Sequence, residues 1–502
     1  MTFAVLAPVL APLLAACGYA VLGWNKATAW LGALAAGALL ASAILLSGTA
    51  QAVTVWGLLR VDALSSFMLV VIGAVALLAM LAMLASPAYL AAEPATGHTQ
   101  ARAARRFGVL TQSFIAAMAL AVLASNLGVM WVAIEATTIL TAFLVGFHPS
   151  KQATEAAWKY VVICSAGIVL AFLGLVIVHY AALHAGLAPS DALDGAALAH
   201  HAAGLDPGVM RIAAVLLVLG FGAKAGLAPM HAWLPDAHSQ APAPVSALMS
   251  GVLLSVAFYA ILRVKVIADV ALGPATMRVL LVAAALASLA VAALLLLAQR
   301  DYKRLLAYSS IEHMGLLALG AAIGTRLALA AVLLHILGHG LGKSALFLSS
   351  GHLHQTLGSS RIDAARGLAQ RSPLLAGAFG LGLLALLGMP PFSLFASELG
   401  IVRAGFAAGL GWAIALALLL MLVIVAAIGR HGRRMLLGTP DPALPPVTPP
   451  ATMQPTAPAI ALHRTATVTV IAALVACALL GITTGPLGDL LHGAATIAGA
   501  TP

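Results

Sequence analysis

Apolar runs about twenty residues long, enough for an α-helix to cross a bilayer, recur along this chain about fourteen times. They lie near 3–22, 27–47, 61–85, 108–126, 128–147, 157–183, 208–229, 241–263, 279–298, 304–323, 327–353, 373–402, 408–429 and 465–484. Hydrocarbon offers no partner to backbone N–H and C=O groups, so runs of this length dictate an all-α polytopic membrane protein. Composition agrees. Of the 502 residues 62% are hydrophobic and 8% charged, and mean hydropathy is +1.07, which no soluble chain of this length sustains. The boundary between the fourth and fifth spans, Asn126-Leu-Gly128, is marked by no polar loop.

A formal charge of +10 would, in a soluble protein, raise nucleic acid as a partner. Here fifteen of the 25 basic residues fall in loops after odd-numbered spans, including Arg102, Arg105, Arg106 and Arg300, and seven on the other side. Cytoplasmic loops carry the excess of Lys and Arg, so the odd loops face the cytoplasm and both termini lie outside. The charge is thus a topology signal, not a nucleic-acid footprint. The N-terminus lacks a basic leader and reads as a retained first span. Cys17, Cys164 and Cys477 stand singly in apolar runs, neither a disulfide framework nor a metal site.

The remaining basic residues, Lys159, Lys224 and Lys343, fall within spans. A charge in hydrocarbon costs roughly 3 kcal/mol on insertion scales and persists where it is paired or wetted. Lys224 precedes Gly226 and Pro229, which break its span, and a short amphipathic piece ending in His238 follows. Broken helices at membrane depth are confined to places buried in protein or lining a cavity. Glu135 lies in mid-span; alone it could be a structural hydrogen-bond donor, and with a lysine on a neighbouring helix it becomes part of a proton relay. Lys159 either joins that axis or snorkels to the interface. Glu312 falls in the early turns of the tenth span. His335, His339 and Lys343, spaced i, i+4, i+8, stack on one helix face, where a stripe of titratable groups can pass protons along the membrane plane. Arg60 and Asp62 read as an ion pair at the outer mouth of the third span. The outer segment from His184 to Met210, with His184, Asp191, Asp194, His200, His201 and Asp206, matches no standard metal spacing and reads as a solvated loop.

The twelfth span repeats the oddity of the seventh: Gly388-Met-Pro390-Pro391 interrupts it and Glu398 follows. Two Gly/Pro-broken spans, five apart in order, are the mark of inverted repeats. The expected organisation is a three-helix segment over 1–107, repeats over 108–263 (spans four to eight) and 264–437 (spans nine to thirteen), a Pro-rich cytoplasmic linker over 438–464, and a last span with its tail over 465–502.

WLPDAHSQAPAPVSA (233–247), RDYKRLLAYSSIEHMG (300–315), HILGHGLGKSALF (335–347) and GMPPFSLFASEL (388–399) together resemble the core motifs of the antiporter-like membrane subunits of respiratory complex I and its relatives, over roughly residues 110–403. WVAIEATTILTAFLVGF (131–147) and EAAWKYVVICSAGIVLAFLG (155–174) are most similar to the hydrogenase-4 component F branch, found with membrane-bound nickel–iron hydrogenases and formate hydrogenlyase. The resemblance implies that Glu135 and Lys224 are the paired glutamate and lysine of a first half-channel. It makes His335, His339 and Lys343 a central relay and Glu398 the residue leading outward, with Lys303 and His238 on the polar axis or its rim. Many members carry a lysine in mid-span eight, where this chain has Ser250 and Ser255, so the link there must run through serines and water. The long C-terminal lateral helix of one complex I subunit is not expected, as the chain ends shortly after span fourteen.

The expected function is proton translocation in a redox-driven complex of the bacterial inner membrane. No Fe–S, flavin or haem ligation pattern is present, so neither cofactor nor metal is expected and electrons fall to a peripheral Fe–S module and other membrane subunits. Two alternatives stay open: a subunit of a multi-subunit Na⁺/H⁺ antiporter, or a non-pumping scaffold for a redox module.

Overall fold

The computed structural model of the chain describes residues 2–49, 52–85, 97–439 and 464–501. The expected Pro-rich linker, apart from its ends, lies outside the described residues. The helices are α1 (Thr2–Leu22), α2 (Trp30–Ser47), α3 (Ala63–Ala85), α4 (Gly97–Leu123), α5 (Leu127–Val145), α6 (Lys151–His184), α7 (Gly195–His201), α8 (Pro207–Ala225), α9 (Trp233–Gln240) and α10 (Ala243–Leu248). A π-helical turn, Met249–Leu253, joins α10 to α11 (Leu254–Leu272). Then come α12 (Pro274–Leu296), α13 (Tyr302–Ile323), α14 (Arg326–Leu357), α15 (Leu368–Arg371), α16 (Pro373–Leu386), α17 (Ser393–Ala407), α18 (Gly411–Leu437), α19 (Arg464–Ile482) and α20 (Leu487–Ile497).

Twelve of the described helices are long and apolar enough to cross a membrane, thirteen with the bent C-terminal pair taken as one. The remaining expected span is divided between α16 and α17, interrupted where Gly388 and the two prolines fall. The last expected span is α19, and the tail after it forms α20, which meets α19 at 76° with Gly485 and Pro486 between them. The chain is a multi-pass, all-α membrane protein.

Local chemistry sets the helix starts. Asn126 caps α5, its side-chain oxygen accepting from Gly128 N at 2.8 Å, which is how two spans part without a polar loop. Ser150, Asp206, Asp301 and Thr325 cap α6, α8, α13 and α14 in the same way. Asp194 caps α7, so the outer segment taken for a loop contains a short helix.

Burial inverts the simple expectation for a soluble core. α13 and α14 are among the least apolar spans, yet their membrane-spanning windows are wholly buried, as is that of the helix running through α10 and α11. The more apolar α6, α12 and α18 are among the less buried spans. Polar side chains are kept from lipid, where unpaired groups cost most, and apolar ones face it.

At one end of α3, a hairpin of β1 (Val53–Val55) and β2 (Leu59–Val61) delivers Asp62. The expected partner Arg60 stands at 4.0 Å; the stronger one is Arg263 of α11, whose guanidinium meets both carboxylate oxygens at 2.8 Å. Spacing pointed to the sequence neighbour because Arg263 comes from 201 residues away. Burial raises the Asp62 carboxyl, but Arg263 outweighs it and holds the group below its ordinary value. A depressed folded-state pKa means this stabilisation is present above about pH 4 and is lost as pH falls through the lower native value. Asp62→Asn would leave Arg263 charged and unpaired, and we expect a loss of about 3–5 kcal/mol, measured by thermal unfolding in detergent. Asp62→Asn with Arg263→Met should recover most of it.

Candidate functional site

A row of polar and titratable side chains runs through the buried helices, beginning between α5 and α8. Lys224, fully buried, sits in the last turn of α8, where the helix C-terminus favours a cation. Gly226, at φ 76°, ends that helix in the left-handed region, and Trp233 of α9 folds back to donate to the Ala223 carbonyl at 2.9 Å. The ammonium donates to Thr138 Oγ1 at 2.8 Å and to the Tyr160 hydroxyl oxygen at 2.5 Å. Thr138 in turn donates to Glu135 Oε2 at 2.9 Å. The expected pair of Glu135 and Lys224 is therefore joined through one hydroxyl, which accepts from the lysine while donating to the carboxylate. Glu135 itself is half-buried, on a helix whose Val132 and Ile139 are exposed.

The middle of the row is built where α14 crosses the π-helical turn. A Cβ on Gly251 would come within 3.1 Å of the Gly340 carbonyl oxygen, so two glycines let the backbones touch here. Ser250 Oγ bonds Ser310 Oγ at 2.8 Å. Lys343 donates to Ser309 Oγ and to the Leu306 carbonyl, each at 2.6 Å. Glu312 follows Ser309 by one turn on α13. His238 and His339 are fully buried, and their ring nitrogens have no hydrogen-bond partner among the described residues; the His238 ring lies 5.5 Å from that of Phe347.

At the far end His313 Nδ1 lies 3.0 Å from His335 Nε2, and His335 Nδ1 lies 2.9 Å from Ser397 Oγ. The His313 and His339 rings are 5.0 Å apart, which joins this end to the middle. Ligand atoms of His313, His335 and Glu398 fall within 4.8 Å of one another, a cluster at a point where no metal was expected. The second helix break shapes this end. Gly388 (φ 60°) follows α16 with the Glu398 carboxylate lying over it, leaving no room for a Cβ. Gly481 of α19 rests directly on the Pro391–Phe392 backbone.

The structure thus brings together Glu135, Lys224, His238, Ser250, Glu312, His335, His339, Lys343 and Glu398. It places others elsewhere. Lys159 is exposed, bonded to Glu155 at 2.6 Å and Asp236 at 3.0 Å, and Asp236 also pairs with Arg304. A long side chain one turn from Glu155 can snorkel from its apolar helix to these carboxylates. Lys159→Ala is accordingly expected to leave the melting temperature little changed and proton flux within about twofold in a vesicle assay. Lys303 is buried at the start of α13, outside the hydrogen-bonded row, and Ser255 Oγ has no partner among the described residues.

Thr138, Tyr160, Ser309, Ser310 and Ser397 belong to the row but did not stand out in sequence, while His313 stood out only as the neighbour of Glu312. The available signals were small: Thr138 is one turn from Glu135, His313 adjoins Glu312, and Ser397 adjoins Glu398.

Residues 124–424 match the family described as NADH:quinone oxidoreductase/Mrp antiporter, TM. A hydrogenase-4 component F homolog from Methylacidiphilum infernorum is 39% identical over 325 residues, which are 64% of this chain and 68% of that protein. NADH-quinone oxidoreductase subunit N of Desulforudis audaxviator is 36% identical over 282 residues, but the match spans only 54% of its length and 55% of this chain. Among solved structures, a chain of respiratory complex I from Thermus thermophilus with bound NADH superposes with TM-score 0.79 at 25% identity, covering 99% of this chain and 98% of that one. A chain of the Mrp complex from Dietzia sp. DQ12-45-1b shares the fold, with TM-score 0.83 at 22% identity over 99% of this chain and 97% of that one. The family match takes in well over half of the chain and every residue of the row from Glu135 to Glu398, so this chain belongs to the NADH:quinone oxidoreductase/Mrp antiporter membrane family.

Proposed function

We propose that this chain is the proton-translocating, antiporter-like subunit of a redox-driven complex of the membrane-bound hydrogenase or NADH–quinone oxidoreductase type. It sits in the bacterial inner membrane with both termini outside, beside other membrane subunits. A peripheral Fe–S module handles the electrons. The observation that carries this reading is the buried row itself: titratable side chains stand in two groups in the protein interior, one joining α5 and α8 through hydroxyls and one joining α13, α14 and α17 through hydroxyl and imidazole contacts. Groups so costly to bury mark ion pathways.

The redox event in a partner biases the Glu135–Thr138–Lys224 linkage. Lys224 then releases its proton toward Lys343, His339 and His335, and Glu398 passes one outward. Ser250, bonded to Ser310 beside the Lys343 site, stands in for the lysine common in other members, with water completing the step from Lys224. The two halves, 108–263 and 264–437, are read as inverted repeats, each with one broken span.

The first test is mass spectrometry of what co-purifies from mild-detergent membranes. An Fe–S redox module with a hydrogenase-like large subunit supports this reading, and vesicles of that complex should acidify on addition of the electron donor. One observation favours a second reading. The family that matches this chain is described by Mrp antiporters as well as by NADH:quinone oxidoreductase, and a chain of an Mrp complex shares its fold. Sodium-dependent proton flux with no electron donor, from a complex of antiporter subunits alone, would replace the redox-driven reading.

A further inference from the structure

α18 carries a feature that the proton row does not use. Leu419, Leu422, Ala426, Arg430, Arg433 and Leu437 fall at helical spacing on one exposed face. The first three are apolar, and the stripe then turns abruptly cationic. Trp412, also exposed, lies near the opposite end of α18, where amphipathic aromatics mark a membrane–water boundary. From Trp412 to Arg430 the helix rises about 27 Å at 1.5 Å per residue, close to the roughly 30 Å of a hydrocarbon core. Arg430 and Arg433 therefore stand at headgroup depth on the other side.

They also line a cavity of about 470 Å³ together with Arg434, Leu437 and Gly438. Arg434 is held by Asp363 at 2.6 Å, and Asp363 is shared with Arg366. Arg430 and Arg433 have no ion-pair partner among the described residues, which leaves two guanidinium groups of the cavity open to an anion. A guanidinium fork matches the paired oxygens of a phosphodiester. An apolar stripe leading into the same cavity matches the acyl chains attached to one.

We propose that this cavity is a binding site for the phosphodiester headgroup of an anionic phospholipid, its acyl chains lying along the Leu419–Leu422–Ala426 face. The lipid neutralises Arg430 and Arg433 and fastens the C-terminal end of α18 at the membrane surface.

The test is native mass spectrometry of the full-length protein, purified within its membrane complex, delipidated and then titrated with phosphatidylglycerol or phosphatidylcholine. The wild type is expected to retain phosphatidylglycerol preferentially. Arg430→Gln with Arg433→Gln should weaken that retention about thirtyfold, the contribution of two charges near a membrane surface, while Arg430→Lys with Arg433→Lys keeps part of it. Subunit composition, read in the same spectra, verifies that the variants assemble. Equal retention of the two lipids, or unchanged retention in the glutamine variant, overturns the proposal. So does displacement of phosphatidylglycerol by millimolar inorganic phosphate, which would make this a free-phosphate site. Binding that emerges only after residues 440–463 are deleted also overturns it, by making that segment the cavity's occupant.

Discussion

Lys224→Arg is expected to keep a positive charge in the centre of the first half and to reduce redox-coupled proton translocation at least tenfold. A guanidinium is protonated at every accessible pH, so it can hold the charge but cannot hand on the proton. Its planar fork is also larger than the space bounded by Thr138 and Tyr160, both within 2.8 Å of the lysine nitrogen. Lys224→Met removes the charge and should show a loss of the same size, with Glu135→Gln close behind. Electron transfer, assayed separately with an artificial acceptor, is expected to persist, because the chain carries no redox-centre ligand pattern. The decisive quantity is protons moved per electron pair in vesicles. A Lys224→Arg protein that pumps normally would mean that the lysine contributes only its field, and that the proton travels by another path.

Gly388→Ala is expected to spare assembly and to cut proton translocation by about tenfold. At φ 60° an alanine costs about 1–2 kcal/mol, which a bundle this deeply packed can absorb. The larger consequence is local, because the added methyl would fall on the Glu398 carboxylate. That side chain must swing away from His335 and His313. Glu398→Gln, which keeps the shape and removes the titratable group, should reproduce the functional loss without the strain. If Gly388→Ala lowers the melting temperature yet pumps fully, the position of Glu398 over the break is not needed.

These two residues were legible in sequence for the same reason: each is an ionisable group beside a Gly/Pro interruption in an apolar run, and hydrocarbon tolerates neither oddity alone. The stripe on α14 was legible because helical spacing is local. What sequence concealed was the partner across a gap. Asp62 was matched to Arg60 and not to Arg263, because distance along the chain hides proximity in space. Thr138, Tyr160 and Ser309 escaped notice because a hydroxyl in an apolar helix commonly bonds its own backbone, as Thr137 and Ser350 do. Only the neighbouring helix converts one into a relay. Lys159, for which spacing left two places open, is exposed and paired with Glu155 and Asp236.

The half-exposed setting of Glu135 has a consequence for how such a protein could receive its instructions. Most of the row is sealed among other helices, while its first carboxylate lies on a face that a neighbouring subunit can cover. A unit charge brought to about 10 Å from that carboxylate, at an effective dielectric of about 20, changes its energy by about 1.7 kcal/mol. The signal need not be a ligand, a lid or a moving helix. It can be a voltage step delivered sideways through the bilayer plane, with Glu135 as the input terminal and the buried row as the wire.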